Sequence, residues 1–279
     1  MKTNGLKWAV ATVVAAVVLP MAAMAQSNPE AKAALTEVKA MLGATPAFIA
    51  LQPEENIAPF WEQVKTLALN PNTALSGKTK ELIGLGVTAQ IPCRYCVYAH
   101  TEFAKLNGAN ERELKEAVAA AGMARQLSAM TQGQSADKHD EVKGGAELAA
   151  IYQEVDKTFG PGHDAFKRYP VAALPSLWKQ VKAVTLNPAG ALSVKDKLLI
   201  SLAVSSQTPS AMCVKDYTAA ARANGATEQE IQEAVAIAGY SREASTVLNG
   251  MQADESQWRK DIDAIIKHVS KMSKKTAAK

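Results

Sequence analysis

Hydrophobic positions along the chain recur mostly at the three- and four-residue spacing of an amphipathic α-helix. Leu82, Leu85 and Ala89 form one such stripe, and Ser76 precedes it as a candidate N-cap. Alternating runs of β-branched residues, which indicate strands, are few. Alanine, leucine, lysine and glutamate dominate, and aromatic residues make up only 5% of the chain. The pattern therefore predicts an all-α fold.

The chain repeats itself at an offset of 117 residues, from Trp61 to Trp178. The segment WEQVKTLALNP returns as WKQVKAVTLNP, and about half of the positions between Trp61 and Gly133 are identical to their partners. Unrelated helices do not match to this extent without gaps. We therefore expect a tandem duplication of one helical unit, with both tryptophans in the core or in a subunit contact.

Each copy carries a capping-box signal before its last long helix. In this motif two side chains satisfy each other's backbone N–H groups, and the pairs are Asn110 with Glu113 and Thr227 with Glu230. The polar stretch TQGQSADKHDEVKGG separates the copies and is typical of a linker. The predicted units are a first copy at residues 26–133, a linker at 134–146, a second copy at 147–252, and a C-terminal helix with a basic tail at 253–279.

The N-terminal residues match a secretory signal peptide. Lys2 and Lys7 are followed by an apolar run at residues 8–19 and by the small-x-small site AMA at residues 23–25. The apolar run is shorter than the ~20 residues that span a bilayer, which argues against stable membrane insertion. We expect residues 1–25 to be a signal peptide and the mature protein to be exported to the periplasm.

Charge and cysteine content narrow the functional classes. The formal charge of +4 falls to +2 once Lys2 and Lys7 are removed, so no nucleic-acid partner is expected. Three cysteines are too few for a disulfide framework. In an exported protein, however, a close cysteine pair can persist as a disulfide.

The stretch IPCRYCVYAH carries the candidate chemistry. Pro92 predicts a helix start, which places Cys93 in the first helical turn, with Cys96 one turn later and His100 another turn later. The N–H groups and the dipole at a helix N-terminus lower the pKa of a thiol and so favour the reactive thiolate. His100 lies on the helix face of Cys96, where it could give or take the proton of the thiol.

The two copies differ at the residues that could carry chemistry. Three polar or reactive residues are replaced in the second copy while one cysteine is kept: Glu81 becomes Leu198, Cys93 becomes Ser210, His100 becomes Tyr217, and Cys96 stays as Cys213. Since an apolar residue suits the position of Glu81, a carboxylate there would cost roughly several kcal/mol of desolvation unless a partner served it. We therefore expect a catalytic site in the first copy and only the fold in the second.

Other interpretations of the cysteine pair remain open at this point. A structural disulfide suits an oxidising compartment, although closing so short a loop stabilises little. A zinc site would need a fourth ligand beyond Cys93, Cys96 and His100. Haem attachment requires a histidine directly after the second cysteine, where Val97 stands. We expect neither a metal nor a cofactor.

The remaining candidate residues have ordinary structural explanations. Cys213 is expected to be a small buried residue. Packing at the turn explains Tyr95 and Tyr98 better than a pocket does. Three histidines lie in polar, linker or tail sequence, where catalysis is not expected: His139, His163 and His268.

The pattern Glu81, Cys93-x-x-Cys96 and His100 resembles that of the alkyl hydroperoxidase D-like proteins, within the carboxymuconolactone decarboxylase superfamily. The resemblance covers both copies, at roughly residues 50–135 and 167–252, but only the first copy carries the full pattern. It implies an all-α tandem of the family's helical unit that assembles into a ring-shaped homo-oligomer, with a trimer favoured.

The resemblance also implies that the substrate is a small hydroperoxide. Cys96 would attack the peroxide and pass through a sulfenic acid, and Cys93 would resolve this intermediate to a disulfide. His100 and Glu81 would form the proton relay that activates Cys96. The decarboxylases of the superfamily are similar in fold but lack the paired thiols.

Two features depart from what the resemblance implies. Tyr95 stands where some relatives have a histidine. Cytosolic relatives draw electrons from lipoylated or other cytosolic thiol partners, which an exported protein cannot reach, so we expect an exported thiol-disulfide relay protein as the reductant.

Three alternative functions stay open. A protein disulfide oxidoreductase would use the same thiol pair and predicts an exposed Cys93. A decarboxylase-like enzyme predicts activity that survives the loss of both cysteines. A non-catalytic helical assembly module would keep the disulfide only for stability.

Overall fold

The structure, a computed structural model, describes residues 28–132, 145–160, 164–167, 169–208 and 210–277. The expected signal peptide and most of the expected linker lie outside these residues. The described parts of the chain form helices and no strands, which confirms the predicted all-α fold.

The helices follow the duplication seen in the sequence. The first copy contributes α1 to α6, the second copy contributes α7 to α12, and α13 follows. Their bounds are α1 Pro29–Leu42, α2 Ala47–Ala50, α3 Glu54–Gln63, α4 Gly77–Ala89, α5 Arg94–Leu106, α6 Glu111–Gln132, α7 Gly145–Phe159, α8 Asp164–Lys167, α9 Leu174–Val184, α10 Val194–Ser206, α11 Ala211–Ala223, α12 Glu228–Gly250 and α13 Glu255–Ala277. A π-helical turn, Val64–Ala68, continues α3, and a 3-10 turn, Val171–Ala173, precedes α9.

Side chains cap the helices where the sequence predicts them. The hydroxyl of Ser76 accepts a hydrogen bond from the first turn of α4, and Ser193 does the same for α10. Both predicted capping boxes are formed, by Asn110 with Glu113 and by Thr227 with Glu230. These caps fix where the helices around the candidate site begin.

The prediction that Cys93 lies in the first turn of its helix is wrong by one position. Cys93 is the N-cap of α5, and its Sγ accepts a hydrogen bond from the N–H of Cys96 at 3.3 Å. An N-cap side chain must reach back to a free N–H two or three residues on, so it stands just outside the helix. Ser210 caps α11 in the same way, with the N–H of Cys213 as donor.

The last long helix of each copy reaches across to the other copy. The carboxylate of Glu233 in α12 accepts hydrogen bonds from the N–H groups of Ala74 and Leu75, each at 2.8 Å. Glu116 in α6 makes the matching pair of bonds to the loop before α10. The copies are therefore interlocked, with α12 against α4 and α5, and α6 against α10 and α11.

Both tryptophans that the repeat singles out lie in the core, which is one of the two places expected for them. Trp61 and Trp178 are buried. Their indole N–H groups donate to Glu37 at 2.9 Å and to Glu154 at 2.5 Å, which repeats the same contact in both copies.

The C-terminal helix α13 packs on α5 and closes the core around the cysteine pair. Trp258, Ile262 and Ile265 of α13 are buried there. At the surface, the hydroxyl of Tyr98 in α5 donates to Asp263 at 2.7 Å. The candidate site is therefore covered by a helix that follows both copies in the chain.

Helix α7 starts at Gly145, so its first two residues fall within the expected linker at 134–146. Of the helices in the described ranges, none combines the length and the apolar character needed to cross a membrane.

Candidate active site

The structure brings Glu81 and His100 into contact. Glu81 lies in α4 and His100 in α5, and these helices pack side by side. Nδ1 of His100 is 2.7 Å from Oε2 of Glu81, and both side chains are largely buried. This hydrogen bond leaves Nε2 of His100 as the ring nitrogen that can exchange a proton with another group.

Cys93 and Cys96 are joined by a disulfide. The two residues are 2% and 4% exposed, so the disulfide is closed off from the protein surface. Cys96 lines the same cavity as Glu81 and His100, whereas the cavity wall does not include Cys93. A molecule in the cavity therefore meets Cys96 and not its partner.

The cavity has a volume of about 300 Å³. Its polar groups include Glu81, Cys96 and His100, and most of the remaining wall is apolar. Apolar and aromatic side chains from several helices form that wall, among them Phe48, Phe103, Ile237, Tyr240 and Ile265. This volume and this lining suit a small, partly apolar molecule that is oriented by a few polar groups.

Gly84 is required for the position of the histidine ring. It lies in α4, one turn after Glu81, and a Cβ atom at this position would collide with the ring of His100. The second copy has Ser201 at the matching position. Sequence reasoning missed Gly84, although the difference between the copies was a signal that could have found it.

Helix α12 of the second copy forms one wall of the site. Oγ of Ser245 is 3.1 Å from Sγ of Cys96, and its hydroxyl also donates to the carbonyl oxygen of Ser241 at 2.7 Å. The expectation that the second copy keeps only the fold is therefore wrong. The reason is that the two copies are interlocked, so that α12 packs against the cysteines of the first copy.

The matching place in the second copy is filled by aromatic side chains. Tyr217, which replaces His100, is buried and meets Phe159 edge to face with ring centroids 5.8 Å apart. Phe159 in turn stacks on Phe166 at 6.1 Å. Leu198, in the place of Glu81, is also completely buried. Core packing has replaced the polar residues here.

Cys213 is a buried free cysteine, as predicted. Burial raises the pKa of its thiol, and hydrogen bonds with Ser210, Ser128 and Thr131 act in the opposite direction. The thiol therefore stays protonated at neutral pH, unlike the reactive thiolate that a nucleophile requires.

The tyrosines next to the cysteines have different positions. Tyr95 packs against Trp258 with ring centroids 5.1 Å apart and also lines the cavity, so packing at the turn is only part of its role. Tyr98 lies nearer the surface, hydrogen-bonded to α13. His268 lies in α13, next to Gly43. Two further histidines of the sequence lie outside the described residues: His139 and His163.

Lys80 lines the cavity beside Glu81 but is held by the backbone. Its ammonium group donates to the carbonyl oxygens of Leu67 and Asn70, both at 2.8 Å. Burial lowers its pKa, and the charges of nearby carboxylates act in the opposite direction. Lys197 makes a similar bond in the second copy, so this lysine belongs to the fold rather than to the site.

The described residues contain no group of three or more histidine, cysteine, aspartate or glutamate side chains placed to hold a metal ion. The groups that the site itself offers include a disulfide, an imidazole and a carboxylate.

Comparison with known proteins gives a family match in both copies. The model of the carboxymuconolactone decarboxylase family matches residues 56–138 and 172–255. A crystal structure described as that of a gamma-carboxymuconolactone decarboxylase subunit from Burkholderia xenovorans superposes with a TM-score of 0.54 and 18% sequence identity. The alignment covers 83% of this chain and 99% of that chain, and at this identity it shows a shared fold. A search of curated proteins gave no match.

Proposed function

The chain belongs to the carboxymuconolactone decarboxylase family, and we propose that it is a thiol-dependent peroxidase that reduces small hydroperoxides. The cavity supports this proposal, because Cys96 shares its wall with the bonded pair Glu81 and His100. The disulfide between Cys93 and Cys96 is the product that such a reaction would leave.

The proposed reaction begins with reduced cysteines. The thiolate of Cys96 attacks the terminal oxygen of the hydroperoxide, an S–O bond forms, the O–O bond breaks, and the other oxygen leaves as the alcohol after taking up a proton. The thiol of Cys93 then attacks Sγ of the sulfenic acid and releases water, which forms the disulfide. One hydroperoxide and two thiols thus give one alcohol, one water and one disulfide.

The proton transfers fall to His100 and Glu81 in this proposal. Because Glu81 occupies Nδ1 of the imidazole, Nε2 takes the proton of Cys96 and returns it to the leaving oxygen. The carboxylate orients the ring and stabilises the imidazolium that forms in between. The loss of both residues in the second copy, together with Cys93, supports a shared role.

The cellular location, the oligomeric state and the reductant of the protein are further proposals. The signal-like N-terminus supports export to the periplasm, and the family resemblance supports a ring-shaped homo-oligomer such as a trimer. The reductant would be an exported thiol-disulfide relay protein. Since both cysteines are buried, that partner needs local opening of the site before it can attack the disulfide.

The alternative functions have less support. A protein disulfide oxidoreductase predicts an exposed Cys93, yet Cys93 is 2% exposed. A decarboxylase would give no role to the cysteine pair, and the likeness to the Burkholderia protein shows only a common fold. A purely structural disulfide leaves the cavity and the partly buried pair Glu81 and His100 without a purpose.

The test is a single turnover of the reduced protein with one equivalent of cumene hydroperoxide. Intact mass and free thiols are measured before and after the reaction. In the wild type we expect stoichiometric loss of peroxide and of two thiols, with formation of the disulfide between Cys93 and Cys96. Cys96→Ser should form no disulfide. Cys213→Ser, which removes the matching cysteine of the second copy, should lose peroxide and thiols as the wild type does. Thiols that react no faster than free cysteine would rule out the peroxidase.

A further inference from the structure

A buried hydroxyl group stands without a partner in the wall of the cavity. Ser241 in α12 is 1% exposed, and its Oγ has no hydrogen-bond partner among the residues that the structure describes. Ser241 is one of the residues that line the cavity. Buried hydroxyls in proteins are nearly always hydrogen-bonded, so such a group indicates a bound water or ligand.

Ser241 lies close to the reacting cysteine. It precedes Ser245 by one helical turn on the same face of α12, and Oγ of Ser245 is 3.1 Å from Sγ of Cys96. The hydroxyl of Ser245 donates to the carbonyl oxygen of Ser241, which joins the two residues directly. A molecule that meets Cys96 in the cavity therefore lies in the same cavity that Ser241 lines.

The duplication provides a comparison within the same chain. Helix α6 faces the degenerate cysteine position as α12 faces the intact one, and it carries Ala124 where α12 carries Ser241. Ser128, by contrast, matches Ser245, so that hydroxyl is kept beside both Cys213 and Cys96. Ser241 is thus present only at the copy of the site that keeps the full set of polar residues.

We infer that Ser241 binds the peroxide group of the substrate. This inference rests on the proposed function and adds a substrate-binding residue to it. A hydroxyl can donate one hydrogen bond and accept others, and an –OOH group can do the same. During the attack of Cys96, negative charge grows on the leaving oxygen, which the hydroxyl of Ser241 stabilises as a donor while keeping its own proton. The proton that completes the alcohol comes from His100.

The test compares Ser241→Ala with the wild type. Alanine is the residue that the chain itself carries at the matching position, so the variant is expected to fold. In stopped-flow measurements with tert-butyl hydroperoxide, the second-order rate constant for oxidation of the reduced protein should fall about tenfold, the size of one hydrogen bond. Alkylation by iodoacetamide, which carries no peroxide group, should be unchanged.

The matched control is Ser201→Ala, which removes another fully buried hydroxyl, away from the cavity. It should leave both rates unchanged. A Ser241→Ala rate constant within twofold of the wild type, or an equal loss in alkylation, would overturn the role of Ser241 while the peroxidase stands. If the wild type itself fails to react with the hydroperoxide, the proposed function falls and this inference falls with it.

Discussion

The carboxylate of Glu81 lies 2.7 Å from the imidazole of His100, at the wall of a cavity that also contains Cys96. Helix packing alone does not require this contact, since the second copy builds the same two helices with Leu198 and Tyr217 in these places. A partly buried ion pair usually stabilises a fold no more than apolar residues of similar size do, so the pair is better explained by chemistry than by stability.

Replacement of Glu81 by leucine should separate activity from stability. The second copy shows that leucine fits this position, so Glu81→Leu should unfold in urea at the same or a higher concentration than the wild type. The rate of oxidation by hydroperoxide should fall about 100-fold, because the imidazole loses the group that orients it. The isosteric Glu81→Gln is the second variant, and a rate within twofold of the wild type in both would remove Glu81 from the mechanism.

Gly84→Ala should displace the ring of His100 without replacing any of the residues proposed to react. The added Cβ collides with the imidazole, which can turn away because it is a side chain, so the contact with Glu81 is lost while the helix is kept. We expect an oxidation rate close to that of His100→Ala. Gly122→Ala is the control, since nothing lies within 4 Å of a Cβ there. That variant should keep full activity and gain about 0.5–1 kcal/mol of stability from helix propensity.

The closeness of Glu81 to His100 and of Cys93 to Cys96 could be predicted from the sequence, because these residues lie within one copy, on α4, on α5 and at the N-cap of α5. The other copy acted as an internal control for them. The helix caps were predictable for a related reason, since each depends on residues three apart.

The contribution of α12 could not be predicted in this way. The difference between Ser241 and Ala124 is visible in the sequence. A reader who did not know that α12 packs against the first copy would have assigned Ser241 to the site of the second copy. The interlocking of the copies depends on contacts between residues more than 150 positions apart in the chain, such as Glu233 with Ala74. Local hydrophobic patterns carry no information on such contacts.

The thiol of Cys213 should make the protein less stable at alkaline pH. Burial raises the pKa of this thiol in the folded state, so stability that is fully present below the unfolded pKa of about 8.5 is lost as the pH rises toward the folded pKa. Between pH 7.5 and 9.5 the free energy of unfolding should drop by up to about 1 kcal/mol through this residue. Urea unfolding of wild type and Cys213→Ala at both pH values measures the effect, and an equal pH dependence in the two proteins would contradict it.

Helix α13 should control access to the disulfide, because it covers α5 and carries Trp258, which packs on Tyr95. Trp258→Ala removes a buried ring and should lower the free energy of unfolding by about 3–5 kcal/mol. Local opening of α13 then becomes more frequent, so dithiothreitol should reduce the disulfide faster in the variant under conditions where both proteins remain folded. Asp263→Asn weakens only the surface contact with Tyr98, and it should change the reduction rate less than twofold. If the reduction rate of Trp258→Ala equals that of the wild type, the disulfide is reached by a route that does not involve α13.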